Sequence, residues 1–302
     1  MQNEHKLRVR MLRVEGNVAP LVWVDYMDKN AEEHTGLMLL DSGSMGNVLS
    51  AELADSIGEL CRLEEETEIH TLDGRVMKAK NVRFSFVLGD KQFHETFSIS
   101  NREMPFRVKG VQTVGILGVE FMHKHGLSID YSDFSLHSSD VNPENLSISD
   151  CDFFFPMEPG LIHYRVPVIA FLQGDKEIVV LADSGADNNI IAQKTVLDND
   201  FNMSRMLQKD IVEGLGGFVE VEGTILKFNM LSLTENDVRK ITQHARFFLL
   251  PHYIYCPKDD LCDRKDGQLP PPIEALVGSP FMAKQGWVLD FGAKIIYRRK
   301  VA

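Results

Sequence analysis

The sequence predicts an all-β protein of two pseudo-twofold-related β-barrel lobes, each with a short helix near its end. Three observations lead to that expectation. Two strings recur in the same order in both halves of the chain. The segments between them are short runs rich in Val, Ile, Leu and Phe, bounded by Gly, Asn or Asp, as strands and hairpin turns require. A chain of 302 residues, 44% hydrophobic and 25% charged, is long enough for about two domains that each bury a core without metal or disulfide staples.

The first copy reads GLMLLDSGSMGNVLS around Asp41 and later TVGILGVEFMHKHGLSIDYSDFSLH around Gly118. The second reads IVVLADSGADNNIIA around Asp183 and later EALVGSPFMAKQGWVLDFGAKIIY around Gly278. Asp41 and Asp183 are 142 residues apart and Gly118 and Gly278 are 160 apart, so 18 extra residues fall inside the second copy. The expected insertions are the polar run LTENDVRKITQ and the loop CPKDDLCDRKDGQLPPP, whose consecutive prolines favour extended polyproline II. Between the copies, SSDVNPENLSISDCDFFFPMEPG has the Asn, Ser, Pro and Gly content of a boundary. The expected organisation is a first lobe over residues 1–140, a linker over 141–160 and a second lobe over 161–302.

In chain order, LRVRMLRV, APLVWVDYM and VRFSFVLG read as strands of the first lobe, and RVPVIAFL, KEIVVLAD and FVEVEGTILKFNML as strands of the second. Only VEFMHKHG and SPFMAKQG, each just after a Gly, read as helices. His123 and His125 in the first of these lie two apart, on different faces of a helix, without a third ligand at suitable spacing. They are expected to be solvated surface residues, and no metal or other cofactor is expected.

The charge balance narrows the partners. With 32 Lys and Arg against 44 Asp and Glu the net charge is −12, which repels a phosphate backbone, so nucleic acid is not an expected partner. No run of about 18 uncharged apolar residues occurs, and MQNEHKLRVRMLRVEG lacks the apolar core of a secretory signal. The expectation is a cytoplasmic protein without membrane attachment. Cys61, Cys151, Cys256 and Cys262 are too few and too scattered for a disulfide framework, and none forms a C-x-x-C pair. The sequons at Asn145 and Asn202 matter only in a secretory compartment.

Each D-S-G follows an apolar strand, MLLD or VLAD. A buried strand that delivers a carboxylate into a tight turn, with Gly43 or Gly185 permitting positive φ, holds the acid at a fixed point. One such tripeptide is a weak signal, equally a turn with a solvated Asp. Two copies on a pseudo-twofold pair of lobes can bring Asp41 and Asp183 face to face. Two carboxyls in contact share a proton, so that one acts as general base and the other as general acid. That pair can activate a water against an amide carbonyl without a covalent nucleophile or metal. A glycosidase also uses paired acids, but such pairs rarely come as duplicated D-S-G loops.

These motifs resemble the retropepsin family of aspartic proteases. In the second half, VLADSGADNNII, DIVEGLGGFVEV and ALVGSPFMAKQGWVLDF are similar to the active-site strand, glycine-rich flap and terminal helix and strand of lentiviral proteases. In the first, LLDSGSMGNVLS and GILGVEFMHKHGLSID are nearer the looser pattern of retrotransposon peptidases. The resemblance implies a catalytic dyad of Asp41 and Asp183. It implies that Ser42 and Ser184 interlock beneath the dyad, and that the loops are shaped by Gly43 with Ser44 and by Gly185 with Ala186. It implies a substrate-binding flap over 213–221, with Gly214, Gly216 and Gly217 supplying mobility. A first-lobe flap is placed at TLDGRVMKAK around Asp73 and Gly74, with an ordinary hairpin tip as the equal alternative.

Gly118 and Gly278 are expected to pack under the catalytic loops. Lentiviral proteases carry an Arg after the second Gly, paired with the acid that matches Asp187; here that position is Ser279. Joining both halves covalently compensates, because linkage supplies a high effective concentration. A Ser44 hydroxyl bonded to an ionised carboxylate would lower its pKa, whereas Ala186 cannot do so, which makes Asp41 the expected charged member.

The resemblance thus implies a monomeric aspartic endopeptidase with an intramolecular pseudo-dimer. Its substrate would be an extended polypeptide, bound by strand-like hydrogen bonds, in polyprotein processing by a retroelement, a virus or a domesticated derivative. The alternatives are a catalytically silent peptide-binding or assembly module of the same fold, and pairing of each lobe with the like lobe of a second chain. Phe155 before Pro156 also resembles a bond that such proteases cut in their own polyproteins; the simpler expectation is that these phenylalanines pack between the lobes.

Overall fold

The computed structural model describes residues 6–14, 17–58, 61–70, 76–102, 104, 107–108, 111–139, 141, 151–156, 166–201, 204–214, 217–234, 237–254 and 272–299. The fold is all-β, arranged as three sheets. A nine-stranded sheet, formed entirely within the first half, curls on itself where Asn17–Met27 pairs with both Glu33–Leu40 and Val76–Leu88. A seven-stranded sheet in the second half closes in the same way, through Val168–Gln173 pairing with Lys176–Asp183 and Gly217–Thr234.

The pattern of burial follows the sequence. Along Val76–Leu88, Val82, Phe84, Phe86 and Leu88 alternate inward with exposed or half-buried neighbours, the period-two signature of a strand with one wet face. The strands that lead to the two acids differ: Gly36–Leu40 and Ile178–Ala182 are continuously buried, so both faces are covered and the strand ends are held rigidly. Phe84, Phe86, Phe93, Phe97 and Phe121 pack edge and face in the first lobe. Phe171, Phe228, Phe247, Phe281 and Trp287 do so in the second. Both groups belong to one continuous core.

The third sheet joins the halves. Its six strands run in the order Arg8–Arg10, Ser135–Ser138, Leu127–Asp130, Val288–Asp290, Ile295–Arg299 and Cys151–Pro156, all antiparallel. At its centre Ile129 faces Leu289, where the pseudo-twofold axis passes between equivalent strands. The segment expected as a linker therefore contributes an edge strand. There Phe155 is in register with Ile296 and Pro156 with Ile295, so this peptide bond is held in a sheet.

Two further expectations need correction. The helices Val119–Lys124 and Ser279–Gln285 stand where expected, but Ala51–Ile57 and Gln193–Asp198 are helical as well. The first of these carries a start signal, since the Ser50 hydroxyl accepts from the Leu53 N–H at 3.2 Å; the second has no side-chain cap. His123 and His125 are not merely solvated. His123 Nδ1 lies 2.8 Å from the Phe291 carbonyl of the other half, and His125 Nε2 lies 2.7 Å from Glu95.

Part of the 18-residue insertion is visible as a longer hairpin. Gly217–Thr234 and Asp237–Leu250 have 18 and 14 residues, against 13 and 10 in Val76–Leu88 and Lys91–Ser100. Most of the proline-containing loop, residues 255–271, lies outside the described residues. Among the described residues no helix is long and apolar enough to cross a membrane.

Candidate active site

Each acid is placed by the same three-strand arrangement. Val111–Leu117 runs parallel to Glu33–Leu40 and antiparallel to Val48–Ser50, so the chain leaving Asp41 loops out and returns on the other side of its neighbour. Ala275–Gly278 stands in the same way between Lys176–Asp183 and Ile190–Ala192. The glycines that end the central strands are sterically required. A Cβ on Gly118 would lie 2.3 Å from the Gly46 carbonyl oxygen, and one on Gly278 would lie 2.5 Å from that of Ala186.

Two asparagines, not singled out in the sequence, tie these loops down. Asn47 Oδ1 accepts the Gly118 N–H at 3.0 Å, and Asn189 Oδ1 accepts that of Gly278 at 3.0 Å. Their separation equals that of the two acids, so the repeat offset was the signal that could have found them.

The two D-S-G loops interlock as expected. The Ser42 N–H donates to Ser184 Oγ at 2.8 Å, and the Ser184 N–H donates to Ser42 Oγ at 2.8 Å. The hydroxyls pass their own protons across the interface, Ser42 to the Ala182 carbonyl at 2.6 Å and Ser184 to the Leu40 carbonyl at 2.7 Å. Both serines are fully buried. Four reciprocal bonds thus satisfy every buried donor in the crossing and fix one loop against the other.

Asp41 and Asp183 meet above this interlock, with their carboxyls hydrogen-bonded to each other. Neither Gly43 nor Gly185 has the expected positive φ; glycine is needed there for the close approach instead, since a Cβ on Gly43 would be 2.6 Å from Asp183 Cγ, and one on Gly185 would be 2.4 Å from Asp41 Cγ. Asp41 Oδ1 accepts the N–H groups of Gly43 at 2.8 Å and Ser44 at 3.1 Å. Asp183 Oδ1 accepts that of Gly185 at 2.9 Å.

Burial raises both carboxyls above the usual carboxylate range. For Asp183 the charge of Asp41 adds to burial and carries it well above that range. For Asp41 the Gly43 N–H, the bond from Asp183 and the Ser44 N–H oppose the rise. The buried pair therefore shares one proton, with Asp183 the more strongly raised of the two. The Ser44 hydroxyl donates to the Gly46 carbonyl at 2.9 Å, and it is the Ser44 backbone that serves Asp41. Ser44→Ala is accordingly expected to leave the titration of the two carboxyls, followed by NMR, unchanged; a displaced midpoint for Asp41 in that variant would contradict this assignment.

The raised Asp183 also has a consequence for stability. In the unfolded chain this carboxyl ionises at its ordinary pKa, while in the fold it ionises only at higher pH. Unfolding thus releases a proton between those two values, and stability falls as pH rises through that window. Asp183→Asn removes the group, so its thermal midpoint is expected above that of the parent at pH 7, with the gap closing below about pH 4. Equal midpoints in scanning calorimetry at pH 7 would show that burial of Asp183 carries no such cost.

The remaining expected site residues are placed as follows. Ser204–Gly214 and Gly217–Thr234 form an antiparallel hairpin closed by Gly214 opposite Gly217; Gly216 lies outside the described residues. Arg62–His70 and Val76–Leu88 form the corresponding hairpin of the first lobe, with His70 opposite Val76; Asp73 and Gly74 lie outside the described residues. Ala186 follows Gly185 in the loop, and its carbonyl accepts the Ser279 N–H at 2.9 Å. Asp187 is exposed, while Ser279 is fully buried beneath the second loop.

No protein-family model matches the chain, and no curated protein matches it in sequence. Among solved structures, it is similar to the aspartic proteinase from Irpex lacteus, with a TM-score of 0.54 and 11% sequence identity over 98% of each chain. The crystal structure of edgp gives a TM-score of 0.48 at 7% identity, covering 97% of this chain and 94% of that one. The first of these likenesses shows a two-lobed aspartic-proteinase fold that spans the whole chain.

Proposed function

We propose that this chain is an aspartic endopeptidase whose two lobes, residues 1–140 and 161–302, share one dyad and act as a monomer. The observation that supports the reading is the meeting of two carboxyls, one from each repeat, above a buried reciprocal interlock. Ionised Asp41 takes a proton from a water held between the acids, while protonated Asp183 gives its own to the carbonyl oxygen of the scissile peptide. The water oxygen bonds to the carbonyl carbon and forms a tetrahedral diol. Asp41 then gives its proton to the amide nitrogen while a hydroxyl of the diol returns one to Asp183, so the C–N bond breaks and the starting protonation is restored.

An extended peptide would bind strand-like between the floor and the two hairpins. The resemblance of the motifs to retropepsins extends the proposal to polyprotein processing in a retroelement, a virus or a domesticated derivative.

Only the singly protonated dyad is competent, so kcat/KM is expected to be bell-shaped in pH. Burial places the alkaline limb above the ordinary Asp range, where Asp183 loses its proton. Cleavage of a mixed peptide library between pH 3 and 8, with a statin-type inhibitor as control, tests the reading. A bell abolished by the inhibitor is expected. A folded chain with no cleavage at any pH would favour the silent peptide-binding module.

A further inference from the structure

A buried run of hydroxyls beneath Asp183 breaks the pseudo-twofold symmetry of the site. Tyr131, at the end of the strand Leu127–Asp130, is 4% exposed, and Ser279, the first residue of the helix Ser279–Gln285, is 0% exposed. Ser279 Oγ donates to the Ser184 carbonyl at 2.6 Å. A serine hydroxyl has a single proton, so at the 2.5 Å contact between Tyr131 and Ser279 the phenol must be the donor. Burial, together with the nearby charges of Asp183 and Asp41, raises the phenol far above its ordinary pKa and keeps it protonated. The order is therefore fixed: Tyr131 to Ser279 to the Ser184 carbonyl.

That carbonyl belongs to the peptide unit whose N–H is Gly185's, and the Gly185 N–H donates to Asp183 Oδ1 at 2.9 Å. A hydrogen bond accepted by an amide carbonyl polarises the same amide's N–H, and it also stops the peptide plane from rotating. Among the described residues the other loop has no such hydroxyl pair. The residues 160 positions from Ser279 and Tyr131 are Val119 and Phe291, both buried and both without a hydroxyl. Tyr131 belongs to the first half and its own N–H is held by the Trp287 carbonyl of the second at 2.9 Å, so the chain crosses between the halves.

We propose that Tyr131 and Ser279 are positioning residues for Asp183, acting through the Ser184–Gly185 peptide to hold the Gly185 N–H on its carboxyl and so set how the dyad divides its proton. The proposal rests on the endopeptidase reading. Removing either hydroxyl weakens the Gly185 bond, one of the two backbone N–H bonds that favour ionised Asp183, so that group holds its proton to higher pH. The alkaline limb of the pH–rate profile then moves upward, while peptide binding, made elsewhere in the cleft, changes little.

The test compares the parent with Tyr131→Phe, Ser279→Ala, Ser279→Thr and the double variant Tyr131→Phe/Ser279→Ala, each normalised to active sites titrated with a tight-binding statin-type inhibitor. Tyr131→Phe and Ser279→Ala are each expected to lower kcat by roughly 3- to 30-fold at nearly constant KM, and to raise the alkaline limb by about half a pH unit. Ser279→Thr keeps the hydroxyl and should restore the parent profile. The double variant should be no worse than Ser279→Ala alone, because the two hydroxyls act in series. Tyr131→Phe removes one oxygen and decides the matter by itself: a parental limb and kcat per titrated site would overturn the proposal while leaving the endopeptidase reading intact. A folded parent without peptidase activity would overturn both.

Discussion

Asp41→Asn and Asp183→Asn are each expected to lower kcat by at least about 10³-fold, with the folded structure retained. The two losses have different chemical origins. In the proposed mechanism Asp41, served by the Gly43 and Ser44 N–H groups, is the base, so an amide there leaves nothing to take the proton from water. In the same mechanism Asp183 is the acid, and an amide there cannot deliver a proton to the carbonyl oxygen and take one back. Because both acids serve one reaction, the double variant should be no less active than either single one. Residual activity within about tenfold of the parent in either variant would show that the acids do not act as a unit. Kinetics on one fluorogenic peptide, with both variants checked by calorimetry, supplies the comparison.

Gly43→Ala is expected to lower activity by about 10²-fold or more while changing the thermal midpoint little. The added methyl would sit 2.6 Å from Asp183 Cγ and Oδ2, far inside contact distance. What it meets is the end of a side chain and not backbone, so the strain is relieved by swinging Asp183 aside. The fold survives and the dyad does not. Three residues further along the same loop lies the control: a Cβ on Gly46 meets nothing within 4 Å, so Gly46→Ala should be nearly silent. Equal activities for the two variants would mean that the acids need not lie as close as the structure has them.

The parts of this fold that the sequence disclosed are those the repeat marks locally. Asp41 with Asp183 and Ser42 with Ser184 share one offset and one apolar context, and the structure brings all four together. Asn47 and Asn189 obey the same offset, yet an Asn in a polar loop has no chemical signature until its partner glycine, 71 or 89 residues away, is known. The six-stranded sheet was hidden for a related reason, since its central pairing joins residues from opposite halves. The strand Cys151–Pro156 sits among Asn, Ser and Pro residues that locally suggest a linker, and pairing with Ile295–Arg299 overrides that preference. Tyr131 and Ser279 are 148 residues apart and occupy positions that the repeat does not match, so no periodicity or spacing connects them. The Ser44 expectation failed on geometry: a hydroxyl one residue after the glycine points to the carbonyl of Gly46, not to the acid.

One chain is expected to hold one working dyad. The most direct test is to titrate the peptidase activity of the purified chain with a tight-binding statin-type inhibitor, a mimic of the tetrahedral diol, at a pH within the bell. A linear fall to zero at one inhibitor per chain is expected, with Asp41→Asn and Asp183→Asn failing to bind it tightly. One inhibitor per two chains would place the dyad between molecules, and a folded chain that neither cleaves peptide nor binds the inhibitor would rule out a working dyad.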